Sequence, residues 1–125
     1  MPTPEQVRAA VDAYVDAYNR DDRQAFLSAF SDDGVVVDPV GTPPHEGIDA
    51  RGGFWDSVHA LADRLELVPE DVIVCADEAV MVFEILATSG GATTVLDAVD
   101  VFRVDDDGRI TSMRAYWDLT RARPA

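Results

Sequence analysis

The chain has 125 residues, enough for one domain (1–125) with a real core and with little room for a second. It is 47% hydrophobic and carries 24 acidic against 10 basic side chains, for a formal charge of −14. That balance weighs against nucleic acid and anionic membranes, which are held by basic clusters, and favours a neutral or apolar ligand.

Residues 1–5 have neither the basic region nor the apolar run of a signal peptide. No stretch approaches the ~20 apolar residues that span a bilayer, so the expected compartment is the cytoplasm. Thr3-Pro4-Glu5-Gln6 starts a helix, with Thr3 as cap, Pro4 at the first helical position and Gln6 closing a capping box. Val7, Val11, Tyr14, Val15 and Tyr18 then recur on one face to about Asn19. Tyr14 therefore carries its hydroxyl into the core, where it needs a partner. Asp21 or Asp22 caps a second, shorter helix with Phe26, Leu27 and Phe30 on its apolar face. Residues 31–34 read as a turn into a strand over residues 35–38.

That strand, Val35-Val36-Val37, ends on Asp38 and is followed by Pro39-Val40-Gly41. Aspartate before proline is an ordinary turn opener. A carboxylate ending a buried strand also costs free energy unless something satisfies it. Both readings stand on this stretch alone. Residues 39–47 form a loop holding His45, expected to be solvent-exposed and without a second metal ligand at the right spacing. A third helix is predicted over residues 48–63, with Phe54, Trp55, Val58 and Leu61 on its apolar side and His59 in a structural role.

From Leu65 the period becomes that of strands: 65–74 interrupted near Pro69, then 79–87, 93–104 and 110–117, joined by turns at Ser89-Gly90-Gly91 and Asp105-Asp106-Asp107-Gly108. Cys75, the only cysteine, excludes an intrachain disulfide and reads as a small buried hydrophobe. Helices first and hairpin-linked strands after predict an α+β fold, a curved antiparallel sheet wrapped over three helices. In the 93–104 strand, Leu96, Ala98, Asp100, Phe102 and Val104 share one face. Val95, Asp97, Val99, Val101 and Arg103 share the other, whose middle is also apolar. The helices can cover only one face, so the second is a candidate homodimer interface.

Tyr14, Asp38 and Asp100 are thus polar groups on otherwise apolar faces. A buried carboxyl is driven to its protonated form and can then donate a hydrogen bond, as a tyrosine hydroxyl does. Two neutral donors in a dry pocket make an oxyanion hole, and an ionised third group can act as a base. The chemistry this suggests is proton abstraction next to a carbonyl.

Tyr14-Val15, Phe30 before Asp32-Asp33, Asp38-Pro39-Val40-Gly41, Gly47, Phe54, Asp100 before Phe102-Arg103, and Ser112-Met113-Arg114-Ala115 occur in order and at similar spacing over nearly the whole chain. In these residues the sequence resembles the ketosteroid isomerase (steroid Δ5-isomerase) family, of the cone-shaped NTF2-like superfamily that also holds SnoaL-like polyketide cyclases. The resemblance implies catalytic roles: Asp38 as the base moving a proton from C4 to C6 of a 3-oxo-Δ5 steroid, with Tyr14 and protonated Asp100 holding the dienolate oxygen. It implies no metal and no organic cofactor. A tyrosine that supports the catalytic tyrosine in the family is replaced by Trp55, whose indole donates one hydrogen bond and accepts none. Trp55, Met81, Phe83, Phe102, Met113 and Trp117 are the candidates for the substrate-binding wall. Two other readings share the fold: a cyclase or epoxide hydrolase, and a non-catalytic binder of hydrophobic small molecules.

Overall fold

The computed structural model describes residues 1–125. Helix α1 (Pro4–Asn19) begins in the expected capping box: the Gln6 amide donates to Thr3 Oγ1 at 3.2 Å and the Thr3 amide to Gln6 Oε1 at 2.8 Å. Its buried face runs Val7, Ala10, Val11, Tyr14, Ala17 and Tyr18. Asp22 caps α2 (Arg23–Ser28) by accepting from the Ala25 amide at 3.0 Å. Asp21 instead makes the bend between the helices, in the left-handed region at φ 53.

Strand β1 (Phe30–Val37) starts earlier than expected. Residues 31–34, read from sequence as a turn, are an irregularity inside the strand, where its register shifts between Phe30 and Val35. Gly34 sits there because a Cβ would stand 2.9 Å from the Ile110 carbonyl oxygen. A short β2 (His45–Glu46) pairs with β1 and turns the His45 ring against Phe54, centroids 5.1 Å apart. His45 is therefore half-buried, not solvent-exposed.

Helix α3 (Ile48–His59) stops four residues short of the expected end. Asp63 ends the run by pairing elsewhere: its amide donates to the Thr88 carbonyl at 2.8 Å and its side chain accepts from the Gly90 amide at 3.0 Å. Leu61, expected on the buried side of this helix, is 82% exposed.

Strands β3 (Arg64–Cys75), β4 (Glu78–Ser89), β5 (Ala92–Val104) and β6 (Ile110–Trp117) follow as an antiparallel meander. Register slips in β3 between Pro69 and Asp71, where proline has no amide to donate. The sheet order is β2-β1-β6-β5-β4-β3. It is antiparallel except for β1 beside β6, which run the same way. The result is the α+β architecture read from the sequence, three helices on an open curved sheet. Cys75 is exposed, contrary to the buried reading: Val72 and Val74 take the inner face, and alternation sends Cys75 out at the strand end. A last short strand, β7 (Arg123–Pro124), pairs with β5 at Thr94 and Val95. From there Arg123 reaches Asp97 at 3.0 Å and Glu84 at 2.7 Å. No helix is long and apolar enough to cross a membrane.

Candidate active site

Cross-strand pairing fixes what faces the helices. Ala79, Phe102 and Met113 form one inward row, Met81, Asp100 and Ala115 the next, and Phe83, Ala98 and Trp117 the third. Asp100 is thus held at mid-sheet on the inner face, in a row that is otherwise apolar. Asp38 comes from the opposite side, directly after β1, and its bond to Pro39 is cis. The Val40 amide donates to the Ala115 carbonyl at 2.8 Å, which ties the turn to the strand beside Asp100. Tyr14 descends from α1, its ring 5.1 Å from Phe102 and 6.3 Å from Phe30.

All three line one cavity of ≈ 220 Å³ between α1, α3 and the sheet. Its walls include Tyr18, Phe54, Val58, Leu65, Leu67, Phe83, Ile85, Leu96 and Trp117, and the exposed side chains of Leu61 and Leu119 stand at its rim. Asp38 and Asp100 are the only charged residue types on the lining, and no basic residue lines it.

The two acids have different surroundings. Asp100 is 2% exposed, and its buried Oδ1 has no hydrogen-bond partner. Burial, and secondarily the Asp38 charge, push its carboxyl well above the usual carboxylate range, so the protonated form is favoured and can donate. Asp38 is only half-buried, and its Oδ1 accepts from Trp117 Nε1 at 2.7 Å. Burial raises Asp38 too, but the indole N–H and the nearby His45 pull it back toward the ionised form. Tyr14, 2% exposed, is raised by burial and then by Tyr18, Asp100 and Asp38, which keeps it a neutral phenol. One acceptor that ionises and two neutral O–H groups therefore share an apolar hollow. That set can remove a proton from carbon and hold the oxygen of the resulting enolate.

Of the six residues expected on the wall, Phe83 and Trp117 line the cavity and four do not. Met81, Phe102 and Met113 are fully buried in the core behind it. Trp55 is 3% exposed and off the lining: Tyr18, which does line the cavity, packs against it with centroids 4.7 Å apart, and His59 stacks on it at 3.9 Å. Trp55 therefore supports the wall without forming it. Sequence reasoning missed Tyr18 as a lining residue, although its place one helical turn after Tyr14 carried the signal. It also missed the Trp117–Asp38 hydrogen bond, which joins residues 79 positions apart.

A family model described as the SnoaL-like domain matches residues 11–113. A steroid Delta-isomerase of Nocardioides simplex is 32% identical over 112 residues, covering 90% of this chain and 89% of that protein. A Mycobacterium tuberculosis protein superposes with a TM-score of 0.87 at 28% identity over the full length of both chains. In complex with estradiol-17beta-hemisuccinate the same protein gives 0.84 at 28% identity, covering 94% of this chain and 98% of that one. The epoxide hydrolase/cyclase-like enzyme SalBIII, of pyran ring formation in polyether salinomycin, has a TM-score of 0.89 at 24% identity over both full chains, a likeness of fold.

Proposed function

The chain belongs to the SnoaL-like domain family, and from that premise we propose that it is an isomerase moving a carbon–carbon double bond into conjugation in a 3-oxo-Δ5 steroid or a similar β,γ-unsaturated ketone. The observation that carries the reading is the unequal treatment of the two acids in one apolar cavity: buried Asp100 Oδ1 has no hydrogen-bond partner and burial pushes its carboxyl well up, while Asp38, raised by burial as well, accepts from the Trp117 N–H, which draws it back down. Asp38 takes a proton from the carbon between the carbonyl and the double bond. The electron pair moves onto the carbonyl oxygen, giving a dienolate held by the O–H groups of Tyr14 and Asp100. The protonated Asp38 then returns the same proton to the far end of the dienolate, and the double bond comes into conjugation with the carbonyl. No net proton or electron is exchanged with solvent, so one carboxylate is enough and no cofactor is required.

The lining suits a flat apolar substrate with a single polar end, since the remaining wall is hydrocarbon and aromatic. The protein works in the cytoplasm as a homodimer. Its contact is the outer face of the sheet, where Val82, Val99 and Tyr116 form one cross-strand row and Ile73, Val80 and Val101 the next. Ile73 is 57% exposed and Tyr116 45% exposed, more apolar surface than a lone chain needs to show water.

The test is the ultraviolet absorbance of the conjugated enone formed from androst-5-ene-3,17-dione. Asp38→Asn is expected to lower kcat by about 10²- to 10⁴-fold, the range for losing a general base, while a phenolic steroid still binds. Normal turnover by that variant would refute Asp38 as the base. Binding of the dione by the wild-type protein with no spectral change would make it a carrier, as the complex of the mycobacterial relative with a steroid ester invites one to ask.

A further inference from the structure

Tyr18 is a second phenol on the cavity wall, and the reaction proposed above does not use it. It follows Tyr14 by one helical turn on the same face of α1, with ring centroids 5.2 Å apart. Its ring is 5% exposed and is fixed from behind: Trp55 lies 4.7 Å away, Phe26 5.7 Å, and His59 stacks on it at 5.7 Å. His59 is itself fixed, with Nδ1 2.8 Å from the Trp55 carbonyl oxygen and Nε2 3.5 Å from Asp21. With rings on those sides, Tyr18 shares the cavity's polar groups with Tyr14, Asp38 and Asp100, and Tyr14 is its neighbour on the helix.

We propose that Tyr18 is a positioning residue for Tyr14: the two hydroxyls form a reversible pair, and Tyr18 turns its proton onto the Tyr14 oxygen when a ligand oxygen claims the Tyr14 proton. A phenol hydroxyl both donates and accepts, so such a pair always has one proton left for the cavity. Chained hydrogen bonds polarise one another, so a donor behind Tyr14 strengthens the bond Tyr14 gives to a developing oxyanion. Burial pushes both phenols up; after it, Tyr18 raises Tyr14 and the Asp38 charge raises Tyr18. An indole such as that of Trp55 donates but does not accept, so it cannot form a pair that reverses.

The inference deepens the isomerase reading and rests on it for its kinetic consequence, while the pairing itself is read by binding. Wild type, Tyr18→Phe, Tyr14→Phe and the double variant are titrated calorimetrically with 4-nitrophenol and with nitrobenzene, its analogue without the hydroxyl. Tyr18→Phe is expected to weaken 4-nitrophenol by about 3- to 10-fold, the scale of one neutral hydrogen bond. It should leave nitrobenzene within about two-fold and have no effect on either ligand once Tyr14 is phenylalanine. In turnover the same variant lowers kcat by a similar factor with KM nearly unchanged. Equal weakening of both ligands, an undiminished loss in the Tyr14→Phe background, or no loss at all would overturn the proposal. This binding pattern without turnover by the wild type would refute the isomerase reading and leave the pairing standing. Turnover without the pattern would do the reverse.

Discussion

Replacing Trp117 by phenylalanine keeps an aromatic wall and removes the N–H that donates to Asp38 over 2.7 Å, along with part of the indole's volume. A hydrogen bond to an ionised acceptor is worth roughly 1.5–3 kcal/mol. Asp38 is half-buried, so water can reach the vacated position, which puts the expected loss near the lower figure. The indole stabilises the ionised carboxylate against the upward push of burial. Without it Asp38 stays protonated to a higher pH, and only the ionised form removes a proton from carbon. The acid limb of kcat/KM therefore moves to higher pH. On the acid side of that limb, where the rate follows the ionised fraction, about 1.5 kcal/mol is a loss of about 10-fold. Above the limb, where both proteins are ionised, the two curves converge. The measurement is kcat/KM for the dione across pH in wild type and Trp117→Phe, with the thermal midpoint as a control for folding. A limb that stays in place or moves to lower pH would refute the assignment of Trp117 as the donor that keeps Asp38 ionised.

Asp100 tests the opposite environment. Because its folded pKa is raised, the native state keeps a proton that the unfolded chain releases above the ordinary carboxylate range. Stability should therefore fall as pH rises through that window. Asp100→Asn, neutral at every pH, is expected to be more stable than wild type at about pH 8, with the difference closing toward about pH 4. Denaturant unfolding at several pH values reads this, and parallel curves would mean that Asp100 is ionised in the fold. The amide still donates, so Asp100→Asn should lose less activity than Asp100→Ala, for which about 10²- to 10³-fold is expected on removal of an oxyanion donor. For the outer face, light scattering should give about twice the 13.6 kDa chain mass. Val82→Glu, which sets like charges against each other across a two-fold contact, should return a monomer with the cavity's ligand affinity intact. A wild-type monomer at micromolar concentration would refute the interface.

The fold was legible where local chemistry and burial agree. Thr3 to Gln6 writes a helix start in four residues, and the alternation of 93–104 marks its inner face residue by residue. Legibility failed where a distant partner decides. Asp63 ends α3 by bonding to Thr88 and Gly90, which no helical propensity can anticipate. Cys75 looked buried by its neighbours and is exposed by its parity. For the site, each of the three polar residues announced itself as a misfit on an apolar face. Their convergence did not, because it depends on the register that sets Asp100 beside Ala115 and on the bond that ties Val40 to Ala115. The wall was misread for a simple reason: Met81, Phe102 and Met113 have the same inward parity as Phe83, but lie one or two rows deeper.

The absence of any lysine or arginine from the cavity lining has its own consequence. In the proposed reaction the hollow holds one unit of negative charge throughout, first on a carboxylate and then on a substrate oxygen. Turnover is therefore a displacement of one negative charge from one side of the hollow to the other, not the creation of an ion. The strongly acidic exterior gains almost no leverage over such a displacement, and dissolved salt, which quiets distant charges, has almost nothing to quiet.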